Sequence, residues 1–395
     1  MWKVPVALMV MKFAAIVRQL RPLGIGAALL VYLLAGSCQQ DRTANKLAQD
    51  SKRVEEFDNS LTFNAVTLEE FDQQGRLWWQ MKAKTAVYSK DKKNAKIDAP
   101  KGQLFQDGKA IMDVTAKNGE VQQDGKTIFL RGDVVAVNTR DGVVMKGDEV
   151  VWQPEKDLLI VRNNVSAVQE KKMQVTAKEG QFFTRDRRLE LMGQVVAVSV
   201  EPEEAKFQSD RITWQIDKEA LAMDKPLQID RSKDKVPLDR AVAQKGSVDL
   251  KTKVATLQQS AQVVRASPPV EVSSDSLVWN YQNQTIVSDK PVSMIDRQKN
   301  SALTGNQGSL DMKTNVITMN GNVRAVGEQN RALTCENLVF NLTTQQFQAE
   351  GNVFFQQASP PVALSGPRAS GNLQDQTVVD GGSTGGRVTT EFIPR

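Results

Sequence analysis

The sequence has 395 residues, of which 40% are hydrophobic and 25% charged, a composition typical of a folded protein. Its 51 lysines and arginines exceed its 46 aspartates and glutamates, and it contains no histidine, which excludes Ser-His-Asp and Cys-His catalysis and histidine-liganded metals. Two cysteines, Cys38 and Cys335, are too few for a cysteine-ligated zinc site or a disulfide framework, although they would allow one disulfide.

The N-terminal segment, residues 1–38, has the parts of an export signal or membrane anchor. A basic stretch without acidic residues precedes an apolar run at residues 23–35, which is shorter than the ~20 residues that span a bilayer. Residues 34–38 (LAGSC) resemble a relaxed bacterial lipobox, which would make Cys38 the lipidated first residue. An uncleaved anchor with an incidental cysteine is the alternative. In either case we expect a membrane to hold the N-terminus.

The positive charge belongs to this N-terminal segment. Residues 1–37 contain four of the 51 basic residues and no acidic one, so the rest of the chain has 47 basic residues against 46 acidic ones. A nearly neutral body gives no indication of a nucleic-acid surface. The polar residues 39–58 that follow the anchor predict a tether, and the folded body should begin near Leu61.

An internal repeat accounts for most of the folded body. Eight units of 30 to 34 residues align on an apolar anchor column: Val121, Trp152, Phe182, Trp214, Val248, Trp279, Leu310 and Phe340. Seven residues later lies a second apolar column: Ile128, Leu159, Leu189, Leu221, Ala255, Ile286, Ile317 and Phe347. Thirteen residues after each anchor lies a third: Val134, Val165, Val195, Leu227, Ala261, Val292, Val323 and Val353. Five residues before each anchor lies a small column: Ala116, Gly147, Ala177, Ser209, Ala243, Ser274, Gly305 and Cys335.

The spacing within each unit predicts β-strands. Apolar residues recur at i and i+2, as in Ile128 and Leu130, which is the period of a strand with one buried face. Turn-forming pairs at 124–125, 132–133 and 163–164 separate the runs. The residues two positions before the anchors alternate between glycine and larger apolar residues in all eight units, as in Gly119 and Val150. The full period is therefore about 62 residues. We therefore predict an all-β body of stacked units with continuous apolar stripes.

The ends of the array depart from the repeat, as expected of capping units. Residues 75–88 precede the regular units and predict the first strands. A partial ninth unit is indicated by residues 369–373 together with Val378 and Val379. The glycine-rich residues 381–386 suggest a loose end.

The residues that could act in catalysis or ligand binding are better explained by structural roles. The stretch 119–127 has one residue too many between its glycines for a P-loop and falls between strand runs, so neither a nucleotide nor another cofactor is expected. Cys335 occupies the small column and lacks a histidine to activate it. No carboxylate pair stands out for glycosidase chemistry. Trp152, Trp214 and Trp279 could stack on sugars, but their apolar column favours a core position. We expect no enzyme and no metal site.

Residues 75–88, 114–119 (VTAKNG) and 127–135 (TIFLRGDVV), behind an N-terminal anchor, resemble the LptC family of lipopolysaccharide export. Later units, such as 189–195 (LELMGQV) and 315–323 (NVITMNGNV), resemble the OstA/LptA repeat of the same pathway. The resemblance implies a twisted, open β-jellyroll that receives lipopolysaccharide from the LptF/LptG transporter and passes it to an LptA-like protein through edge strands. It implies lipid contact on the interior face: Val121, Ile128, Leu130, Val134, Trp152, Leu159, Val161, Val165, Phe182, Leu189, Leu191 and Val195.

The resemblance gives a division of the chain. We expect an anchor at 1–38, a tether at 39–58, an LptC-like jellyroll at 59–200, an OstA-like jellyroll at 201–380 and a flexible tail at 381–395. The body would lie in the periplasm, anchored to the inner membrane, and relay lipid toward the outer membrane. A surface or outer-membrane lipoprotein with a closed β-solenoid, acting structurally or binding polysaccharide, is the alternative.

Overall fold

The structure is a computed structural model that describes residues 61–123, 125–170, 172–199, 204–358, 361–373, 377–380 and 389–391. The predicted anchor, tether and lipobox, with Cys38, lie outside the described residues. The first strand begins at Leu61, where the folded body was expected to begin.

The described chain is built from β-strands and two single-turn 3-10 helices, η1 (Pro154–Lys156) and η2 (Glu328–Asn330), which confirms the predicted all-β class. Strands up to the seventh are β1 Leu61–Phe71, β2 Leu77–Tyr88, β3 Ala95–Asp98, β4 Lys101–Gln106, β5 Lys109–Thr115, β6 Asn118–Gln122 and β7 Thr127–Asn138. The middle of the chain forms β8 Val144–Gln153, β9 Leu158–Gln169, β10 Met173–Phe183, β11 Arg188–Ser199, β12 Glu204–Gln215, β13 Ala220–Met223, β14 Leu227–Lys233, β15 Val236–Ala243, β16 Lys245–Asp249, β17 Val254–Arg265 and β18 Val270–Asn280. The remaining strands are β19 Thr285–Ser288, β20 Val292–Asp296, β21 Ser301–Gly305, β22 Gln307–Asp311, β23 Val316–Gly327, β24 Arg331–Asn341, β25 Gln346–Ala358, β26 Pro361–Asn372, β27 Thr377–Asp380 and β28 Thr389–Glu391.

The strands form one long antiparallel meander, and each long strand bends halfway along. In places two short strands stand in for the two halves of a long one, as β3 and β4 do, each pairing with a different half of β2. In β7 the residues 127–131 pair with β6 and the residues 135–138 pair with β5. Both halves pair with β8 across a register shift. The same division recurs in β9, β11, β17, β23 and β25, each of which crosses a bulge. The two halves therefore build two facing sheets. We call the sheet that contains the first half of β7 sheet I, the other sheet II, and their shared line of bulges the corner.

At the corner, two consecutive residues of a strand have positive φ angles and so adopt the left-handed backbone conformation. Its members are the pairs Gly132/Asp133, Asn163/Asn164, Gly193/Gln194, Gln259/Ser260, Gly321/Asn322 and Gly351/Asn352. Glycine and asparagine adopt this conformation at the lowest cost, which explains their recurrence. The prediction that 132–133 and 163–164 are turns between strands was wrong, because these pairs bend β7 and β9 without ending them.

The predicted columns are confirmed as neighbours in the strand register. Each anchor residue pairs with the second-column residue of its own unit, as Trp152 does with Leu159, and that residue pairs with the next anchor, Phe182. The two columns thus merge into one unbroken apolar stripe along sheet I, from Val121 to Phe347. The third column begins the sheet II halves, directly after the corner.

The residues five positions before each anchor are small because neighbouring strands leave little space for a side chain at the corner. Gly147 pairs with Val134, and a Cβ added to Gly147 would lie 2.4 Å from Cγ1 of Val161. Cys335 pairs with Val323 in the equivalent place and is buried. A larger side chain at these positions would have to displace the apolar residues on the neighbouring strand.

The meander runs through both predicted jellyrolls. β11 and β12, on either side of residue 200, pair over nearly all of their length, and β12 pairs with β13 and β14. The division at residue 200 stays a prediction. At the C-terminal end β27 pairs with β26, as expected of a partial ninth unit, and within the predicted tail Thr389–Glu391 forms a short strand against β26.

Candidate functional site

The twelve interior residues predicted to contact lipid lie on the facing sides of the two sheets. Each is at most 7% exposed, and all belong to one core cluster that extends from Leu68 to Ala369. Three of them, Val134, Val165 and Val195, begin the sheet II halves of their strands, and the other nine lie on sheet I. The sheets are packed against each other, so an acyl chain could reach these residues only if the sheets separated. Lipid contact at these positions stays a prediction.

Sequence reasoning missed the second interior row of sheet II. Each residue of this row pairs with the row's residue on the next strand. In the second half of the chain the row consists of Ile229, Ala241, Val263, Val272, Met294, Leu303, Ala325, Leu333 and Phe355. All of these are buried except Ala325, which is partly exposed. Several of its members lie two residues after the third column. The i and i+2 period of a strand would have identified them.

Opposite the corner, turns of sheet I and sheet II face each other, and we call this side the mouth. Arg185, in a sheet I turn, donates to Asp107 in a sheet II turn over 3.0 Å, and its hydrogen bond holds the pKa of the Asp107 carboxyl below its usual value. Lys172 and Glu219 form a second crossing pair at 3.2 Å. Charged contacts therefore hold the mouth together in this part of the chain.

A third crossing contact is partly buried. Arg187, in a sheet I turn, bonds to Asp141 in a sheet II turn and to Asp217 at 3.0 Å. Burial disfavours the charge of Arg187, but these two carboxylates outweigh that cost and raise its pKa. The guanidinium thus stays charged and joins the two rows of turns.

A buried ion pair lies at the mouth rim of sheet II. Arg231 on β14 and Asp239 on β15 approach to 2.8 Å and are 3% and 8% exposed. The Arg231 guanidinium lies 5.8 Å from the ring centre of Trp279 and 5.7 Å from that of Tyr281, both from the sheet I side. Burial raises the pKa of Tyr281 to about 12. Burying a charged side chain in a β-core costs free energy unless the charge is paired. This ion pair is therefore an exception within an otherwise apolar interior.

The three tryptophans of the anchor column are core residues, as their apolar column favoured. Trp152, Trp214 and Trp279 are at most 2% exposed, which leaves no face for stacking on a sugar. In the part of the chain that the structure describes, no group of acidic or cysteine residues could hold a metal ion. Within the same described residues, no helix is long and apolar enough to cross a membrane.

The buried thiol of Cys335 should be inert in the folded protein. Burial and the neighbouring Glu336 raise its pKa to about 11, which at pH 8 reduces the thiolate fraction roughly a hundredfold relative to an ordinary cysteine. We expect iodoacetamide to modify Cys335 in urea but only very slowly in the native protein, as measured by peptide mapping. Equal modification rates in both conditions would contradict the buried assignment.

Comparison with known families gives a match that repeats along the chain. The family model described as "Lipopolysaccharide-assembly, LptC-related" matches residues 25–159, 144–264 and 232–328, which together cover most of the chain. The three overlapping matches follow the internal repeat. No curated protein matches the chain. The chain therefore belongs to the LptC-related family of lipopolysaccharide-assembly proteins, a family of transport components, and is involved in lipopolysaccharide transport.

Proposed function

We propose that the chain is a membrane-anchored periplasmic carrier without enzymatic activity. It accepts lipopolysaccharide from an inner-membrane ABC transporter of the LptF/LptG type and relays it through its interior toward the outer membrane. The observation that carries the proposal is the unbroken apolar stripe from Val121 to Phe347, which joins every repeat through registered strand pairs.

Physical chemistry explains why such an interior suits lipid. An acyl chain of about a dozen methylenes costs on the order of 10 kcal/mol when exposed to water, at about 0.8 kcal/mol for each methylene. A carrier must therefore shield the chain at every step. Stacked valine, leucine and isoleucine side chains supply this shielding without a catalytic group, and the energy for transport would come from the transporter.

Entry of lipid requires the mouth to open. Two of the pairs that cross it, Arg185 with Asp107 and Lys172 with Glu219, lie largely in water, where ion pairs contribute little to stability. The partly buried contact of Arg187 with Asp141 would also have to break. The corner remains intact when these contacts break, because its bulges are continuous backbone. The two sheets could thus part at the mouth while the strands of each sheet stay paired.

The edge strand β1 offers a surface for a partner. It pairs with β2 and exposes Leu61, Phe63 and Phe71, each about half exposed. Strand edges with exposed apolar side chains favour the addition of a further strand. We propose that the terminal strands dock the transporter at one end and an LptA-like protein at the other.

The proposal is tested by photo-crosslinking in exporting cells. A photoreactive residue at Leu191 or Val195 in the full-length protein should capture lipopolysaccharide, since both side chains face the interior. The control is Val168, which is 37% exposed on β9. If neither interior position captures lipopolysaccharide above the control during active export, the carrier function is refuted.

The close packing of the interior favours a second candidate, a structural or polysaccharide-binding lipoprotein at the outer membrane or cell surface. Its core would never open. Membrane fractionation separates the two, because the carrier should be found with the inner membrane and the structural lipoprotein with the outer membrane.

A further inference from the structure

A cleft of about 540 Å³ lies at the corner, on the outer side of sheet II. Four of its lining residues, Val196, Gln208, Gln228 and Val242, pair in this order on β11, β12, β14 and β15. Their side chains are partly exposed, whereas the residues directly before and after each of them are buried. The cleft therefore faces solvent on the side of the molecule away from the mouth.

The cleft lies where the corner is interrupted. Strands β12 and β17 pass through the corner, but the chain between them crosses it only as turns. One turn, residues 224–226, joins β13 to β14, and the other, at Gln244, joins β15 to β16. Pro226 and Gln244 line the cleft, together with the corner residues Gln194 of β11 and Ser260 of β17. Because no strand continues through the corner between β12 and β17, these side chains surround a gap.

The lining of the cleft is polar but almost uncharged. It contains four glutamines and two serines: Gln194, Gln208, Gln228, Gln244, Ser209 and Ser260. Asp210 is the one charged residue among the described residues that line it. Gln228 donates to Asp230 over 2.6 Å. Within the described ranges of the chain, the side-chain amides of the other three glutamines make no hydrogen bond with another protein group, so they are available to a ligand.

The corner is not uncharged everywhere. In the outward-facing pair of residues closest to the corner, Gln208 lies opposite Gln228. The equivalent pair where the corner is interrupted between β2 and β7 is Lys82 opposite Lys101. This position in the strand register thus accommodates lysine, and the lack of cations is particular to the cleft. A neutral ligand fits it better than an anionic one, which would have no cation to pair with.

Uncharged polar residues continue from the cleft to the next interruption of the corner, between β18 and β23. Ser260 lines the cleft, and its backbone N–H donates to Asp275 over 3.4 Å. Beyond it, Ser273 lies opposite Ser293, and Ser293 lies opposite Thr304. Neighbouring strands are about 4.8 Å apart, so this row is roughly 30 Å long from β11 to β21. A ligand in the cleft can therefore be an extended chain.

We propose that this cleft binds a neutral glycan of N-acetylated amino sugars. A glutamine amide both donates and accepts, so it can donate to the carbonyl of an acetamido group and accept from its N–H. Sugar hydroxyls also donate and accept, which suits Ser260 and Asp210. Pro226 and Val242 pack against the C–H groups of the sugar ring. The volume of the cleft lies in the range of small-ligand sites.

The position of the cleft assigns the glycan to a molecule other than the carried lipid. A lipid held between the sheets would present its headgroup at the mouth, where the sheets part, and the cleft lies on the opposite side. Glycan bound at the corner would attach the body to a glycan network and leave the mouth unobstructed. The inference is therefore independent of the proposed carrier function.

The test is isothermal titration calorimetry on the full-length protein in phospholipid nanodiscs. The probe is chitotetraose, a neutral tetramer of N-acetylglucosamine. Cellotetraose is the matched ligand, because it has the same linkage and a hydroxyl in place of each acetamido group. We expect chitotetraose to bind about tenfold more tightly, since only its acetamido groups pair with the amides in both directions. Absence of chitotetraose binding, or equal affinity for the two tetramers, overturns the proposal.

Variants locate the binding. Gln208→Ala combined with Gln244→Ala removes two available amides and should raise the Kd for chitotetraose roughly tenfold. Neither side chain belongs to the core, so the variant should fold. Gln348→Ala, at an exposed glutamine on the outer face of sheet I, is the control and should leave the Kd unchanged. An unchanged Kd in the double variant would place the binding elsewhere and overturn the site.

The delipidated saccharide of lipopolysaccharide tests the source of the glycan. We expect it not to compete with chitotetraose. Competition by this saccharide at equal concentration would assign the cleft to the carried lipid and overturn the inference of a separate glycan. Loss of lipopolysaccharide capture at Leu191 in cells, with chitotetraose binding intact, would refute the carrier function alone.

Discussion

Replacement of Asp239 by alanine should lower the free energy of unfolding by about 3–5 kcal/mol. The change leaves the Arg231 guanidinium, 3% exposed, without the carboxylate that it contacts at 2.8 Å. The aromatic rings of Trp279 and Tyr281 cannot replace that charge, since a cation–π contact recovers only part of the loss. Urea unfolding followed by tryptophan fluorescence measures the effect, and Trp279 itself lies close enough to report on the site.

The same two strands provide the control. Arg240 and Asp230 lie on the opposite face of β14 and β15 and form an exposed pair at 2.7 Å. Asp230→Ala should therefore have a much smaller effect, because water solvates the arginine that remains. The double variant Arg231→Met with Asp239→Leu should recover most of the lost stability, since well-packed apolar residues often replace a buried ion pair without cost. Equal losses for Asp239→Ala and Asp230→Ala would show that the interior pair has no special role.

The strand pairing could be predicted from the sequence because one buried face repeats. An anchor and the residue seven positions later, such as Trp152 and Leu159, are joined by a short turn and therefore pair directly. The corner could not be predicted in the same way. Gly132 and Asp133 have the composition of a hairpin turn, and only the pairing on both sides shows that the strand continues through a bulge.

The interior residues of the candidate site could be predicted from the sequence, but the contacts that cross the mouth could not. Period-two spacing places Leu189 and Leu191 on one face regardless of their partners. Asp107 and Arg185 are far apart in the chain and come from turns of different sheets, so their contact depends on how the two sheets fold onto each other.

Truncation of Trp152 to alanine should cost about 3–5 kcal/mol, the usual loss for a large aromatic residue in a core. Trp152 is completely buried in the sheet I stripe between Ile128 and Leu159. Its indole N–H has no acceptor among the described groups of the protein. Trp152→Phe keeps most of the ring and removes this unsatisfied donor, so we expect a much smaller change in the free energy of unfolding.

Trp79 provides the matched comparison for this substitution. It is 3% exposed, and its indole N–H donates to the carbonyl of Gly125 over 3.0 Å. Trp79→Phe would leave that buried carbonyl without its donor, a loss of about 1–3 kcal/mol, whereas Trp152→Phe removes a donor that has no acceptor. Urea denaturation of the two variants should therefore rank Trp79→Phe as the more harmful. The reverse order would mean that the Trp152 N–H makes a bond in solution, and the interior stripe would then hold a polar group or water beside Trp152.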